Sequence, residues 1–405
     1  MPTVDIWHSS FYSARVDGSP LSTDGSPLVA EASAERTRVG ELDTPALLVD
    51  LDRLERNVGR WQDAADAAGV RLRPHIKTHK SVAIAALQRE AGAHGIAVAK
   101  VGEAEVFARA GFEDIVIAYP VVGEAKWRRI AELATRTRIT VNVDSAFAAV
   151  GLSAAAVAAG AAVRVQIDLD TGFGRCGVPA ADAEAIEGLA REIEKLPGLE
   201  LDGLTTHRGL FFPGADDLTA QEAGAQEGGL VVAAAEALRE AGIPVHEVTA
   251  GGSLTGGAVA CVPGITEVRA GTYVFNDLMQ LSLGATTAEN CALTVLATVV
   301  SVTGPDTATI DCGTKTYAGD TGVVGGDGLE LRGMAECVER DAVVERMTEE
   351  HGLVRSFDGP LAVGDRLSFV PVHACTCVNL ADRLIAVRDG EVHEVWPVDA
   401  RGRTA

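Results

Sequence analysis

The chain has no excess of positive charge, no cysteine framework and no long apolar run, and each shortage removes a class of function. Its 405 residues carry 35 Lys and Arg against 57 Asp and Glu, a formal net charge of -22. Such a surface repels a phosphate backbone or an anionic membrane, so neither nucleic acid nor membrane is expected as a partner. The seven cysteines, at 176, 261, 291, 312, 337, 375 and 377, are an odd number without a Cys-x-x-Cys pair. That pattern is not a disulfide framework and fits a reducing, cytoplasmic location. No stretch of about 18 uncharged apolar residues occurs, so no membrane span is expected. The first residues carry Asp5 and lack both a basic start and an apolar stretch, unlike a signal peptide.

What is present is ordinary globular material: 47% hydrophobic residues with 44 Gly and 15 Pro. The length exceeds the size at which one core usually stops growing, so two domains are expected. Residues 1–44, rich in Ser, Gly, Asp and Pro, read as an arm that packs on the remainder, the β domain first. β-Branched runs then recur at 46–50, 70–77, 96–100, 114–119, 139–144, 163–170, 201–207 and 245–250. Amphipathic stretches lie between them, at 51–68, 102–110, 179–195 and 217–241. This alternation predicts an α/β fold, a (β/α)8 TIM-like barrel over 45–285, with a doubly wound open sheet as the alternative. Beyond it, strand-like runs with Gly, Pro and Asp turns predict an all-β C-terminal domain over 286–405.

Functional groups in such a fold belong at the C-terminal ends of the strands. Arg73-Pro74-His75-Ile76-Lys77-Thr78-His79-Lys80 closes the second run. Alternation puts Arg73, His75 and Lys77 on one face, the barrel interior if Ile76 faces the helices. A lysine desolvated there among other cations is favoured as the free amine, a nucleophile for Schiff-base chemistry. A basic turn in solvent is the plainer account. Gly251-Gly252-Ser253 follows the eighth run, and Arg269-Ala270-Gly271-Thr272-Tyr273 follows a shorter one. Loops in these places often hold phosphate on backbone N–H groups, although glycine also serves turns for purely conformational reasons. Arg175 ends the sixth run over the same mouth, to meet a phenolate or carboxylate or to bridge to Asp168 or Asp170. In an extended Val372–Asn379 segment His373 and Cys375 face one way and can converge on an ion, and sulfur with imidazole favours zinc. A buried strand cysteine beside a satisfied histidine is the alternative.

Taken in order, these pieces resemble the metal-dependent branch of the alanine-racemase-like, fold type III pyridoxal-phosphate enzymes, the D-serine dehydratase and D-threonine aldolase family. The resemblance runs from Asp43-Thr44-Pro45-Ala46 to Arg401-Gly402. It implies that Lys77 carries pyridoxal 5'-phosphate and that Arg175 faces the cofactor's phenolic oxygen. It further implies that Gly251, Gly252, Ser253, Gly271, Thr272 and Tyr273 surround the phosphate and that Arg269 faces the pyridine nitrogen. His373 and Cys375 match the family's metal pair, for Zn2+ or another divalent metal, and a homodimer is implied. Cys375 in place of the aspartate of the aldolases points toward a dehydratase.

The expected reaction is loss of water from a β-hydroxy D-amino acid to give a 2-oxo acid and ammonia, with retro-aldol cleavage to glycine and an aldehyde as the alternative. An amino-acid racemase would need a second base, usually a tyrosine of the β domain, where Tyr317 alone lies. A non-enzymatic cofactor carrier would leave the C-terminal residues unexplained. A barrel hydrolase would rely on Asp144, Asp168 and Asp170 and would be colourless.

Overall fold

The computed structural model describes residues 37–209, 218–320 and 331–405. Residues 1–36 of the expected arm lie outside them, whereas Val39 and Leu42 pack against Ala46, Leu48, Leu296 and Ile385. Short runs of Val and Ile, buried on both faces, form parallel strands as expected for a sheet covered by crossover helices. In spatial order these are Arg71–Leu72, Glu267–Val268, Glu247–Ala250, Leu199–Thr206, Val163–Asp170, Arg138–Val143, Asp114–Pro120 and Ile96–Val98. A parallel bridge between His75 and Ala97 brings the last beside the first and closes an eight-stranded ring. Helix Leu51–Ala68 shows the logic of the crossovers. Asp50 caps it by accepting the Arg53 N–H at 2.9 Å, Leu51, Leu54, Val58 and Ala65 form its buried stripe, and Gly69 ends it at φ +71°.

One expectation is corrected here. Ala46–Asp50 reads as the first barrel strand but pairs antiparallel with Leu293–Val302 and parallel with Arg383–Arg388, in the other sheet. The eighth barrel strand is instead the two-residue Glu267–Val268. A buried apolar run looks the same whichever sheet buries it, and two residues are too few to show a period.

Among the described residues the second sheet has nine strands, and the additional pairing of Leu293–Val302 with Thr307–Ile310 turns six of them back into a ring. All of its pairs are antiparallel except the one made by Ala46–Asp50 and Arg383–Arg388. A single apolar cluster runs from barrel residues such as Ile76 and Ile167 to Val295, Phe369 and Trp396 of this sheet. The strand starts carry a charged layer in which buried Arg73 pairs with Asp114 at 2.7 Å and Glu267 at 2.8 Å, beside a cavity of about 150 Å3. The opposite, C-terminal end of the strands holds the residues singled out above. No helix among the described residues is long and apolar enough to cross a membrane.

Candidate active site

The strand beginning at Arg71 does not stay extended through Lys77. His75 is extended, but Ile76–Thr78 is one 3-10 turn, so the alternation that would put Arg73, His75 and Lys77 on one face stops at His75. Arg73 belongs to the charged layer at the far end, whereas the exposed Lys77 projects into the mouth instead of being desolvated inside the barrel. The desolvated groups are its neighbours. Burial pushes the His75 imidazole well below its ordinary pKa, and the charges of Lys77, Arg269, His207 and Arg175 push the same way. His207 is lowered to about 3 by burial and by Lys77, Arg175 and Arg269. Three cations and two neutral imidazoles therefore share one neighbourhood in a strongly acidic chain.

Two glycine turns close over this point. The N–H of Gly251, at φ +81°, donates to Glu227 Oε1 at 3.1 Å, and the same carboxylate accepts from Arg208 N–H at 2.9 Å and Thr255 Oγ1 at 2.7 Å. Glu227 is buried, and burial raises its pKa against those hydrogen bonds. It lies midway along helix Ala220–Glu240, where spacing cannot distinguish it from the exposed acids of the same helix. A Cβ on Gly252 would lie 2.9 Å from His207 Cε1, and one on Gly271 would lie 2.8 Å from the His75 carbonyl oxygen. Ser253 Oγ accepts N–H bonds from Gly271 at 3.1 Å and Tyr273 at 2.9 Å, which ties the two turns together.

The side chain of Tyr273 faces away. It is buried, stacks on Trp61 with centroids 5.2 Å apart, and its hydroxyl accepts from Gln88 Nε2 at 2.9 Å, so only its backbone is at the turn. Gln88 is in turn fixed by His79, whose Nε2 lies 3.2 Å from Gln88 Oε1 while its Nδ1 accepts the Ser81 N–H at 3.1 Å. The second histidine of the RPHIKTHK motif thus braces the second glycine loop, a link that motif spacing does not reveal.

Arg269 is buried with Nη2 donating to Thr205 Oγ1, and its Nη1 has no partner among the described residues. Arg175 does not bridge to Asp168 or Asp170. It lies over the Phe173 ring at 5.0 Å, while Asp170 holds the loop through the N–H groups of Gly172 and Gly174 at 2.9 and 3.0 Å. Tyr317 is buried, and burial drives its pKa well above the ordinary value.

The metal pair departs from its expected conformation. Val372–Asn379 is not a strand: His373 is extended at φ -136°, ψ 107° and Ala374–Leu380 is a helix. The buried Asp277 carboxylate caps both helix Leu278–Ser282, through Gln280 N–H at 2.9 Å, and this helix, through Ala374 N–H at 2.9 Å. Period-2 texture in VHACTCV therefore conceals a helix start whose cap arrives from about a hundred residues away. The two side chains nevertheless act on each other's ionisation, each favouring the charged form of the other. Burial opposes ionisation of the Cys375 thiol, but the neighbouring His373 and the charge of Lys77 bring its pKa below the ordinary thiol value. Cys375 Sγ is 3.3 Å from Thr78 Oγ1, on the residue next to Lys77, and 3.8 Å from Thr272 Oγ1. Barrel lysine, glycine loop and β-domain thiol are thus brought to one point. Among the described residues no group of three or more His, Cys, Asp and Glu side chains could hold an ion.

The residues fit the implied groups. A cationic mouth with two turns that admit no Cβ suits a phosphate, and the free Arg269 Nη1 suits a ring acceptor. Soft sulfur beside imidazole suits zinc. Residues 49–278 match the model of the alanine racemase N-terminal domain and residues 292–387 that of a serine dehydratase domain. The chain is 38% identical over 353 residues to the D-threo-3-hydroxyaspartate dehydratase of Delftia sp. strain HT23, covering 82% of this chain and 91% of that protein. It is 36% identical over 371 residues to the D-threonine aldolase of an Arthrobacter species, covering 90% of this chain and 94% of that protein. The solved structure of the Delftia dehydratase superposes with a TM-score of 0.81 over 89% of this chain and 98% of that one. A cysteine-to-alanine mutant of that enzyme, in a metal-free form, superposes at 0.82, with coverage of 89% and 99%.

Proposed function

Because the chain belongs to the D-serine dehydratase and D-threonine aldolase family of fold type III pyridoxal-phosphate enzymes, we propose that it is a lyase that removes water from a β-hydroxy D-amino acid. The observation that supports this reading is the 3.3 Å approach of Cys375 Sγ to Thr78 Oγ1, on the residue next to Lys77. When bound, pyridoxal phosphate supplies an electron sink for charge developing at Cα, and a divalent ion, zinc in this proposal, supplies a Lewis acid for the β-hydroxyl.

The remaining work falls to this chain. Lys77 holds the cofactor and, once displaced by the substrate amine, takes the Cα proton on Nζ. Gly251, Gly252, Ser253, Gly271, Thr272 and Tyr273 would surround the phosphate, and Arg175 and Arg269 would orient the ring. His75 accepts the Lys77 N–H, and burial lowers the pKa of both His75 and His207, so neither adds charge. His373 and Cys375 would hold the ion, which would supply a Lewis acid to ease departure of the β-hydroxyl. The enamine released then hydrolyses to a 2-oxo acid and ammonia. If the β-hydroxyl instead gives up its proton while Cα–Cβ breaks, the products are glycine and an aldehyde. Similarity to the Arthrobacter aldolase keeps that outcome in the test.

The enzyme is proposed to act as a homodimer, and its seven unpaired cysteines agree with a reducing cytoplasm. The test is a product assay on D-serine, D-threonine and D-threo-3-hydroxyaspartate, before and after chelation. Ammonia and 2-oxo acid, lost on chelation and restored by zinc, are expected. Glycine and aldehyde would replace dehydration by the retro-aldol reading, and turnover unaffected by chelation would overturn the metal's role.

A further inference from the structure

We infer that Asp320 is a positioning residue that orients His373 toward the ion, an inference that rests on reading His373 and Cys375 as metal ligands. His373 Nδ1 lies 3.0 Å from Asp320 Oδ2. An ionised carboxylate only accepts hydrogen bonds, so Nδ1 carries the proton and Nε2 presents its lone pair to a metal. The Thr376 hydroxyl donates to the same Asp320 oxygen, which fixes the carboxylate against the first turn of the helix that bears Cys375. A carboxylate behind a ligating imidazole sets its tautomer and ring orientation and raises its basicity.

The exposure of the pair decides what its loss should affect. The side chains of His373 and Asp320 are 30% and 36% exposed, and ion pairs so wetted contribute little to folding stability. The backbone beneath is held separately, by Asp277 on the Ala374 N–H. Removing Asp320 therefore frees the imidazole ring and leaves the helix in place. Asp320 stands 53 residues before His373, after the short helix Thr314–Tyr317, and nothing in its local sequence marks it as part of a metal site.

The experiment titrates zinc into chelator-stripped, cofactor-loaded enzyme against a chromophoric chelator. Asp320→Asn is expected to weaken zinc binding by roughly 10-fold and Asp320→Ala by up to about 100-fold, the range for such outer partners. Cofactor absorbance and the urea midpoint should stay at wild-type values. Thr376→Val, which removes the second bond to the carboxylate without changing charge, should give a smaller loss in the same direction, and it tests the idea even if the Asp320 variants fold poorly. Wild-type zinc affinity in Asp320→Ala would overturn the inference while the metal reading survives. A loss as complete as that of His373→Ala would also overturn it, because Asp320 would then be a ligand. Wild-type enzyme that takes up no zinc, or His373→Ala that binds it normally, would remove the metal reading and this inference with it.

Discussion

Replacing Gly271 by alanine would put a Cβ 2.8 Å from the His75 carbonyl oxygen and 3.1 Å from Thr78 Oγ1. The backbone itself accepts alanine, since φ is -130°. The cost is therefore steric. The nearer atom is backbone of the segment leading to Lys77, and its own N–H is bonded to the Ala270 carbonyl at 2.8 Å, so it cannot rotate aside as a flexible side chain would. The contact falls about 0.6 Å short of ordinary van der Waals distance, and the loop has to retreat by about that much. Overpacking of this kind costs about 1–3 kcal/mol, and misplacing reacting groups by about 1 Å costs about a hundredfold in rate. We therefore expect Gly271→Ala to lower kcat/KM about tenfold, with weaker retention of cofactor by visible absorbance and a modest fall in Tm. Gly257→Ala is the control: it meets nothing within 4 Å, sits in helix Gly256–Ala260, and should leave activity unchanged. If Gly271→Ala kept cofactor and rate within twofold of wild type, the close approach of the two loops would not matter and the assignment of this turn to the phosphate would lose its steric basis.

Lys77→Ala should abolish both the visible absorbance of bound cofactor and turnover; activity surviving that change would remove the proposed mechanism. Arg73, buried between Asp114 and Glu267, is structural, so Arg73→Ala should lower stability by about 3–5 kcal/mol in urea titration by leaving buried carboxylates unpaired, and a midpoint equal to wild type would contradict that. His79 is buried with its pKa lowered to about 3, chiefly by burial, so the unfolded chain binds a proton there that the folded one refuses as pH falls below the ordinary histidine value. Stability from this group is complete above about pH 7 and falls by about 2 kcal/mol on going to pH 5. His79→Asn should show a correspondingly smaller loss between those pH values, and an unchanged slope would show that His79 does not resist protonation.

Much of the architecture is written in local pattern. β-Branched runs buried on both faces, separated by amphipathic helices, identify a parallel barrel because only such runs can be covered on two sides, and the later strand-and-turn texture identifies the second, antiparallel sheet. The RPHIKTHK motif, the two glycine turns and the His-x-Cys pair can be picked out in sequence as candidates, and the fold brings them to one end of the barrel. What local pattern misjudged is conformation at the edges: Lys77 lies in a turn rather than a strand, Cys375 in a helix rather than a strand, and Ala46–Asp50 in the other sheet.

Those outcomes depend on partners far away in the chain. Asp277 starts the helix that carries Cys375, Glu227 pins the first glycine turn, His79 and Gln88 brace the second, and Asp320 backs His373. A single buried carboxylate or imidazole has no period and no neighbour in sequence that betrays its contact. Residue type and spacing determined which groups were available for chemistry; the closure of the barrel against the second sheet decided which of them meet, because hydrogen bonds and desolvation act over a few ångströms of space irrespective of separation along the chain.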